Sequence, residues 1–276
     1  MAVSKLKVNR WGSTACGLVV LALAPAAARA ALVASDMASN PTYSVGQAYN
    51  GLNGGTGFQP WSTIPTVNYG SNNGAPVNGP SDAGNSLGAT AFSLYAFNNN
   101  GDNGSAFATR AFTDNSGTGA GALDAGQTFS FDFDNRLIAT GSTVGFELTD
   151  ATGAAGFRFD FLGGGDDYRT TDAAGTTELT GFGYTGSGLR LSVTLTGADT
   201  YSFTATKLNG GQSVTTVGTL AENAGLDRVL VFNRQGGDQS DLNFTNLAVT
   251  TAVPEPGTMA IAAVAAGGLL ARRRPR

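Results

Sequence analysis

The chain has 276 residues, no histidine, a single cysteine (Cys16) and a net charge of −4. Without histidine, and with its cysteine near the N-terminus, it excludes Ser-His-Asp and Cys-His catalysis and the usual zinc ligand sets. An acidic, lysine-poor chain has no electrostatic footprint for nucleic acid, so no such partner is expected.

Lys5, Lys7 and Arg10 form a basic start, Ala15 to Ala27 an apolar run, and Ala28-Arg29-Ala30 a small-x-small site. This order predicts a signal peptide over 1–30, a signal helix passed to the Sec export machinery and cleaved after Ala30. Cys16 falls inside it, so the exported part has no disulfide, thiol nucleophile or cysteine metal site. The signal carries four cations, and the stretch from Val253 a net three positive charges. Removing both takes the net charge from −4 to −11.

Residues 31–252 are expected to form one secreted domain, within the size range of undivided β-sandwiches. Its first part, 31–88, is rich in Asn, Gly, Ser and Pro and reads as long loops and a first strand. Tyr43, Tyr49, Phe58, Trp61, Ile64 and Tyr69 recur through it, and a disordered linker would not be expected to carry them. The turn Gly54-Gly55-Thr56-Gly57-Phe58-Gln59-Pro60-Trp61 is placed to deliver two aromatics to a core.

From Ala89 onward, short alternating segments dominate. Phe129, Phe131 and Phe133 alternate with Ser130, Asp132 and Asp134; Val144, Phe146 and Leu148 flank Glu147. Phe157, Phe159 and Phe161 alternate with Arg158 and Asp160, and Leu189 to Leu195 and Tyr201 to Ala205 repeat the pattern. Further strands are predicted over 91–97, 106–112, 178–184, 214–220, 228–233 and 241–250, with Gly, Asn and Asp turns between strands. Period-two patterning in some eleven or twelve segments predicts an all-β, antiparallel β-sandwich of jelly-roll type with one face of each sheet buried.

The C-terminus carries Val253-Pro254-Glu255-Pro256, whose prolines stop any strand or helix arriving from the domain. An apolar stretch containing Met259, Ala260, Ile261, Val264, Leu269 and Leu270 follows, well short of the ~20 residues of a stable span. Arg272, Arg273 and Arg274 would hold that end on the cytoplasmic side. Prolines, short hydrophobic helix and basic end in this order resemble the PEP-CTERM sorting signal, placed here at 253–276. That resemblance implies an exported protein anchored transiently in the inner membrane by a short transmembrane helix. An exosortase then recognises and removes the tail, and the product is released or attached at the cell surface. The arrangement of GGTGF-x-PW, F-x-F-D, V-G-F-x-L and L-T-G-x-D-T-Y-S-F along the domain resembles PEP-CTERM proteins with a jelly-roll or concanavalin-like ectodomain.

Three constellations are candidates for chemistry. Asp166 and Asp167, with Asp172 further on, read as a Gly/Asp loop whose carboxylates suit Ca²⁺, although the EF-hand spacing is absent. No other cofactor is expected. Tyr168 beside the Asp pair reads as an exposed glycan contact, and Trp61 as core. Asp132, Asp134, Glu147, Arg158 and Asp160 would share one sheet face if their strands were neighbours, offering the paired carboxylates of a glycoside hydrolase. The E-x-D-x-x-E strand motif of that enzyme class is absent, and Glu147, Glu178 and Glu222 are the only glutamates of the domain.

The expected function is therefore a non-enzymatic cell-surface or extracellular-matrix protein, sorted by exosortase and associated with polysaccharide. The alternatives are a carbohydrate-active enzyme and a purely structural coat protein. Mass spectrometry of protein from cells with and without the sorting protease should find Ala31 as N-terminus in both, and loss of the Arg-rich tail only in the former.

Overall fold

Residues 31–66, 73–82, 85–96, 104–113, 121–221, 225–234 and 240–251 are described by a computed structural model. The signal peptide, Tyr69, and the sorting segment from Val253 lie outside the described residues. In chain order the strands are β1 (Ala31–Asp36), β2 (Ser62–Thr66), β3 (Asn73–Gly74), β4 (Val77–Asn78), β5 (Ala91–Ala96), β6 (Ser105–Ala111), β7 (Gln127–Ile138) and β8 (Thr143–Thr149). They continue with β9 (Ala155–Leu162), β10 (Asp167–Asp172), β11 (Gly175–Gly183), β12 (Leu189–Leu195), β13 (Thr200–Lys207), β14 (Ser213–Thr219), β15 (Arg228–Arg234) and β16 (Ser240–Thr251).

These strands build an antiparallel sandwich of two sheets, with no helix among the described residues. Sheet A has the order β14-β13-β12-β7-β16-β5-β3, with β1 also on β16 and β4 on β5; sheet B has the order β11-β10-β9-β8-β15-β6-β2. The alternating segments are strands because each places its aromatics on one face, and two such faces must meet to leave water. Phe131 of sheet A meets Phe146 of sheet B edge-on at 4.9 Å, and Phe133 meets Phe159 at 6.0 Å. Phe203 of sheet A lies 5.1 Å from both Phe157 and Phe159.

The loop-rich start packs into the same core. Tyr49, Trp61, Phe92 and Phe244 form a second aromatic group with centroids 4.9 to 6.4 Å apart. The glycines of the 54–57 turn are required by a close approach to β1, against which the turn exchanges two hydrogen bonds between Ser35 and Thr56. A Cβ at Gly55 would sit 2.4 Å from the Ser35 carbonyl oxygen, and Gly57 has φ +73°. Ile64 departs from expectation: it points out from β2 and is 55% exposed, because it shares the parity of Phe107 on the outer face.

One polar side chain breaks the pattern. Arg110 follows Ala106 and Ala108 in the inward register of β6 and is fully buried. Its guanidinium pairs with Asp36 of β1, Nη2 donates to Asn53, and Nε donates to the Gln59 carbonyl at 2.8 Å. Its Cζ lies 4.9 Å from the Phe58 ring centre and 4.8 Å from that of Trp61. Tyr43 donates to the other side of the arrangement, with its hydroxyl 2.6 Å from Asp36 Oδ2. Six residues of the 31–61 segment thus converge on one cation from β6. Removing one partner of a buried pair strands the other charge, at a cost of about 3–5 kcal/mol, whereas replacing both by apolar groups is often neutral. Asp36→Ala should therefore lower stability by about that amount in urea denaturation, and the double change Asp36→Leu/Arg110→Met should recover most of it.

Candidate functional site

The polar residues proposed to share one face are divided between two. Asp132 and Asp134 lie on β7 in sheet A, while Glu147, Arg158 and Asp160 lie on β8 and β9 in sheet B. All of them alternate with core phenylalanines, so each set points away from the sandwich on its own side. The two sets are separated by at least the ~10 Å between packed sheets. The expected single row of carboxylates does not exist.

On sheet A, Asp132 accepts from Arg190 at both oxygens, Nε at 2.8 Å and Nη2 at 3.0 Å. This paired hydrogen bond raises the Arg190 guanidinium above its ordinary value. Asn246 adds a third donor, Nδ2 at 2.7 Å from Asp132 Oδ2. A register shift in β16 between Thr245 and Ala248, with Asn246 at φ +57°, turns that side chain toward β7. Asparagine tolerates the left-handed region where most residues do not. Asp134 is buried and accepts the Ser86 backbone N–H at 2.6 Å.

Beside this cluster the outer face of sheet A is lined with hydroxyls. Thr128 meets Thr194 at 2.7 Å, Thr204 meets Thr215 at 2.9 Å, and Thr206 meets Ser213 at 2.9 Å. With Ser130, Ser192 and Ser202 at the intervening register positions, they form a hydroxyl-rich surface across four strands, bordered by the exposed Arg190 opposite Thr206.

On sheet B, carboxylates and arginines alternate. Asp160 sits 2.7 Å from Arg158 Nε and accepts Arg169 Nε at 2.9 Å. Glu147 lies 3.1 Å from Arg234 and 3.9 Å from Arg158. The buried Phe232 ring is covered by both flanking arginines, with Arg158 Cζ at 4.9 Å and Arg234 Cζ at 4.2 Å. Gly145 lies beside this lattice, where a Cβ would meet the Phe159 carbonyl at 2.1 Å. Each carboxylate is thus engaged by two guanidinium groups.

The proposed calcium loop is largely strand. Asp167 begins β10 and Asp172 ends it, about 16 Å further along at the ordinary rise. Asp166 is exposed, Asp167 accepts the Gly181 N–H at 3.1 Å, and Asp172 points inward to accept the Tyr201 hydroxyl at 2.7 Å. The three carboxylates do not converge, and among the described residues no three His, Cys, Asp or Glu side chains come together as a metal-binding group. Tyr168 is not a glycan contact. It is fully buried, lies parallel to Phe159 at 5.2 Å, and donates to Asn135 Oδ1 at 2.8 Å. Strand parity decides this, since Tyr168 and Thr170 are the inward residues of β10. Trp61 is core.

The sequence counts Tyr43 among the recurring aromatics but gives no polar role to Asp36, Tyr43 or Arg110, which the structure joins. The signal was present in Arg110, two positions before Phe112 and in step with Ala106 and Ala108.

With this geometry in place, the sorting segment becomes the most specific functional feature. Residues 252–274 match the PEP-CTERM protein-sorting motif. The chain is accordingly an exported protein processed by an exosortase, held transiently at the membrane beforehand. No curated protein matches its sequence. Among solved structures it is similar to a glycosyl hydrolase family 16 protein of Mycobacterium smegmatis, at 13% identity over 79% of this chain and 100% of that one, with a TM-score of 0.47. It is also similar to a carbohydrate esterase of the Shiga toxin-encoding bacteriophage phi24B, at 16% identity over 82% and 100% with a TM-score of 0.46. A third is an immunostimulatory antigen and pseudo beta-1,3-glucanase of Mycobacterium tuberculosis, at 14% identity over 60% and 77% with a TM-score of 0.42.

Burial raises the phenols of Tyr49 and Tyr168 above the ordinary 10.0, and raises that of Tyr201 with help from its bond to Asp172. Their neutral forms are favoured in the folded state, so this contribution is complete below pH 10. It is lost as pH rises above about 10, where the unfolded chain gives up those protons. In an alkaline titration, tyrosinate absorbance from these residues should therefore appear together with loss of the β circular-dichroism signal, not before it.

Proposed function

We propose that the exported domain is a non-enzymatic cell-surface or extracellular-matrix protein that associates with polysaccharide after exosortase processing. The observation that carries this reading is the division of the acidic residues. Asp132 and Asp134 face one way, Glu147 and Asp160 the other, and Asp132, Glu147 and Asp160 are each held by arginine. A hydrolase needs two carboxyl groups facing one bond with different proton affinities. The hydroxyl surface of sheet A supports the binding half of the reading, because Ser and Thr both donate and accept as sugar hydroxyls do. Signal-peptide export through the Sec machinery belongs to the same proposal, as does a final location at the surface or outside the cell.

The experiment is a glycan array run beside a reducing-sugar assay on the purified exported protein. Binding without sugar release is expected, with binding reduced by Thr194→Glu and Thr204→Glu on the sheet A face. Sugar release that disappears in Glu147→Gln would establish the carbohydrate-active enzyme instead. Absence of both binding and release would leave a purely structural coat protein.

A further inference from the structure

A β-sandwich has open lateral edges, and exposed edges attract other strands unless something blocks them. Most edges of this molecule are blocked. On sheet B, β2 spans five residues and contains Pro65, while β11 carries Glu178 and a register break opposite Asp167 to Arg169. On sheet A, β3 and β4 have two residues each, and the Ser35 backbone of β1 is taken by Thr56.

The remaining edge is β14. It runs Ser-Val-Thr-Thr-Val-Gly-Thr, with no charge and no proline, and pairs with β13 in an unbroken register. Lys207 N donates to the Gln212 carbonyl and Leu220 N to the Asp199 carbonyl, both at 2.8 Å. In an antiparallel ladder the bonded positions alternate, so even-numbered residues of β14 face β13 and odd-numbered ones face outward. The outward carbonyl of Thr219 accepts from Ala173 at 3.1 Å, consistent with that phase. Among the described residues no backbone partner lies on the outward side of Ser213, Thr215 or Val217, and Val217 is 73% exposed.

We infer that β14 is an assembly edge that pairs antiparallel with β14 of a second copy of this chain. The outward positions are self-complementary. A two-fold axis at Thr215 sets Ser213 opposite Val217 of the second copy and Thr215 opposite its own counterpart, so the outward N–H groups of these three residues each meet an outward carbonyl, while Thr219, whose carbonyl accepts from Ala173, stays outside the pairing. Charge favours the same place. A domain of net charge −11 repels its own copies, and the run from Ser213 to Leu220 is uncharged. Pairing there would join two A sheets and extend their hydroxyl faces into one surface.

The test is sedimentation velocity of the exported protein purified from its producing cells. The wild type should sediment as a dimer or larger species. Val217→Lys, which places a charge on the edge, should weaken association at least about ten-fold while leaving far-ultraviolet circular dichroism unchanged. Thr215→Pro should do the same, since it removes an N–H that β13 does not use. Val217→Thr should still associate. A wild type that stays monomeric at the highest soluble concentration would overturn the inference, as would a folded Val217→Lys protein that associates as tightly as the wild type.

Discussion

The structure depends on a layer of phenylalanine rings clamped between two sheets. Phe129, Phe131, Phe133 and Phe203 enter from one side and Phe146, Phe157 and Phe159 from the other, with neighbouring rings tilted or edge-on. Such geometry suits ring quadrupoles and contributes about 0.5–1.5 kcal/mol per pair beyond the burial of area. It also imposes a parity. Once the odd positions of β7 are committed to the core, Asp132 and Asp134 have only the outer face of sheet A. The same commitment in β8 and β9 sends Glu147, Arg158 and Asp160 to the outer face of sheet B. What the polar residues can do chemically follows from this, because parity decides which of them can meet.

Arg110 is the exception that defines the N-terminal half of the domain. A guanidinium between two sheets is tolerable only when its hydrogen bonds are supplied, and residues 31–61 supply them from Asp36, Asn53 and the Gln59 carbonyl beneath the Phe58 and Trp61 rings. The loop-rich segment has little regular structure of its own, and the buried cation gives it one arrangement. Tyr43 ties a further loop into the cluster, with its hydroxyl donating to Asp36 and accepting the Gly54 N–H at 2.8 Å. In this part of the chain the buried ion pair adds to the β1–β16 ladder and to the packing of Tyr49 and Trp61.

Address and surface suit each other physically. The sorting motif follows directly on β16, the strand that joins β7, β5 and β1 at the centre of sheet A. The two outer faces of the sandwich differ in kind: sheet B presents alternating arginine and carboxylate over Phe232, and sheet A presents hydroxyls ending at the uncharged strand β14. On both faces the carboxylates of Asp132, Glu147 and Asp160 are held by arginine.

Much of this was legible in the residues alone. Period-two runs such as Thr143–Thr149 and Leu189–Leu195 coincide with strands end to end, because one buried face leaves a signature in every second residue. Prolines, apolar stretch and arginines likewise announce the sorting motif, since each feature is local. Strand neighbours are not local. Nothing within β7 or β8 says that they belong to different sheets, so the row of carboxylates expected from Asp132 to Asp160 could be dissolved only by the tertiary pairing. The Gly163–Asp172 stretch shows the same limit: it has the composition of a turn, yet six of its residues form β10 because β9 and β11 bond to both its sides. Tyr168 is buried, Asp172 turns inward to Tyr201, and Arg110 becomes a structural centre for one reason. Composition determines which residues prefer water, while partners brought from distant sequence decide which of them can go without it.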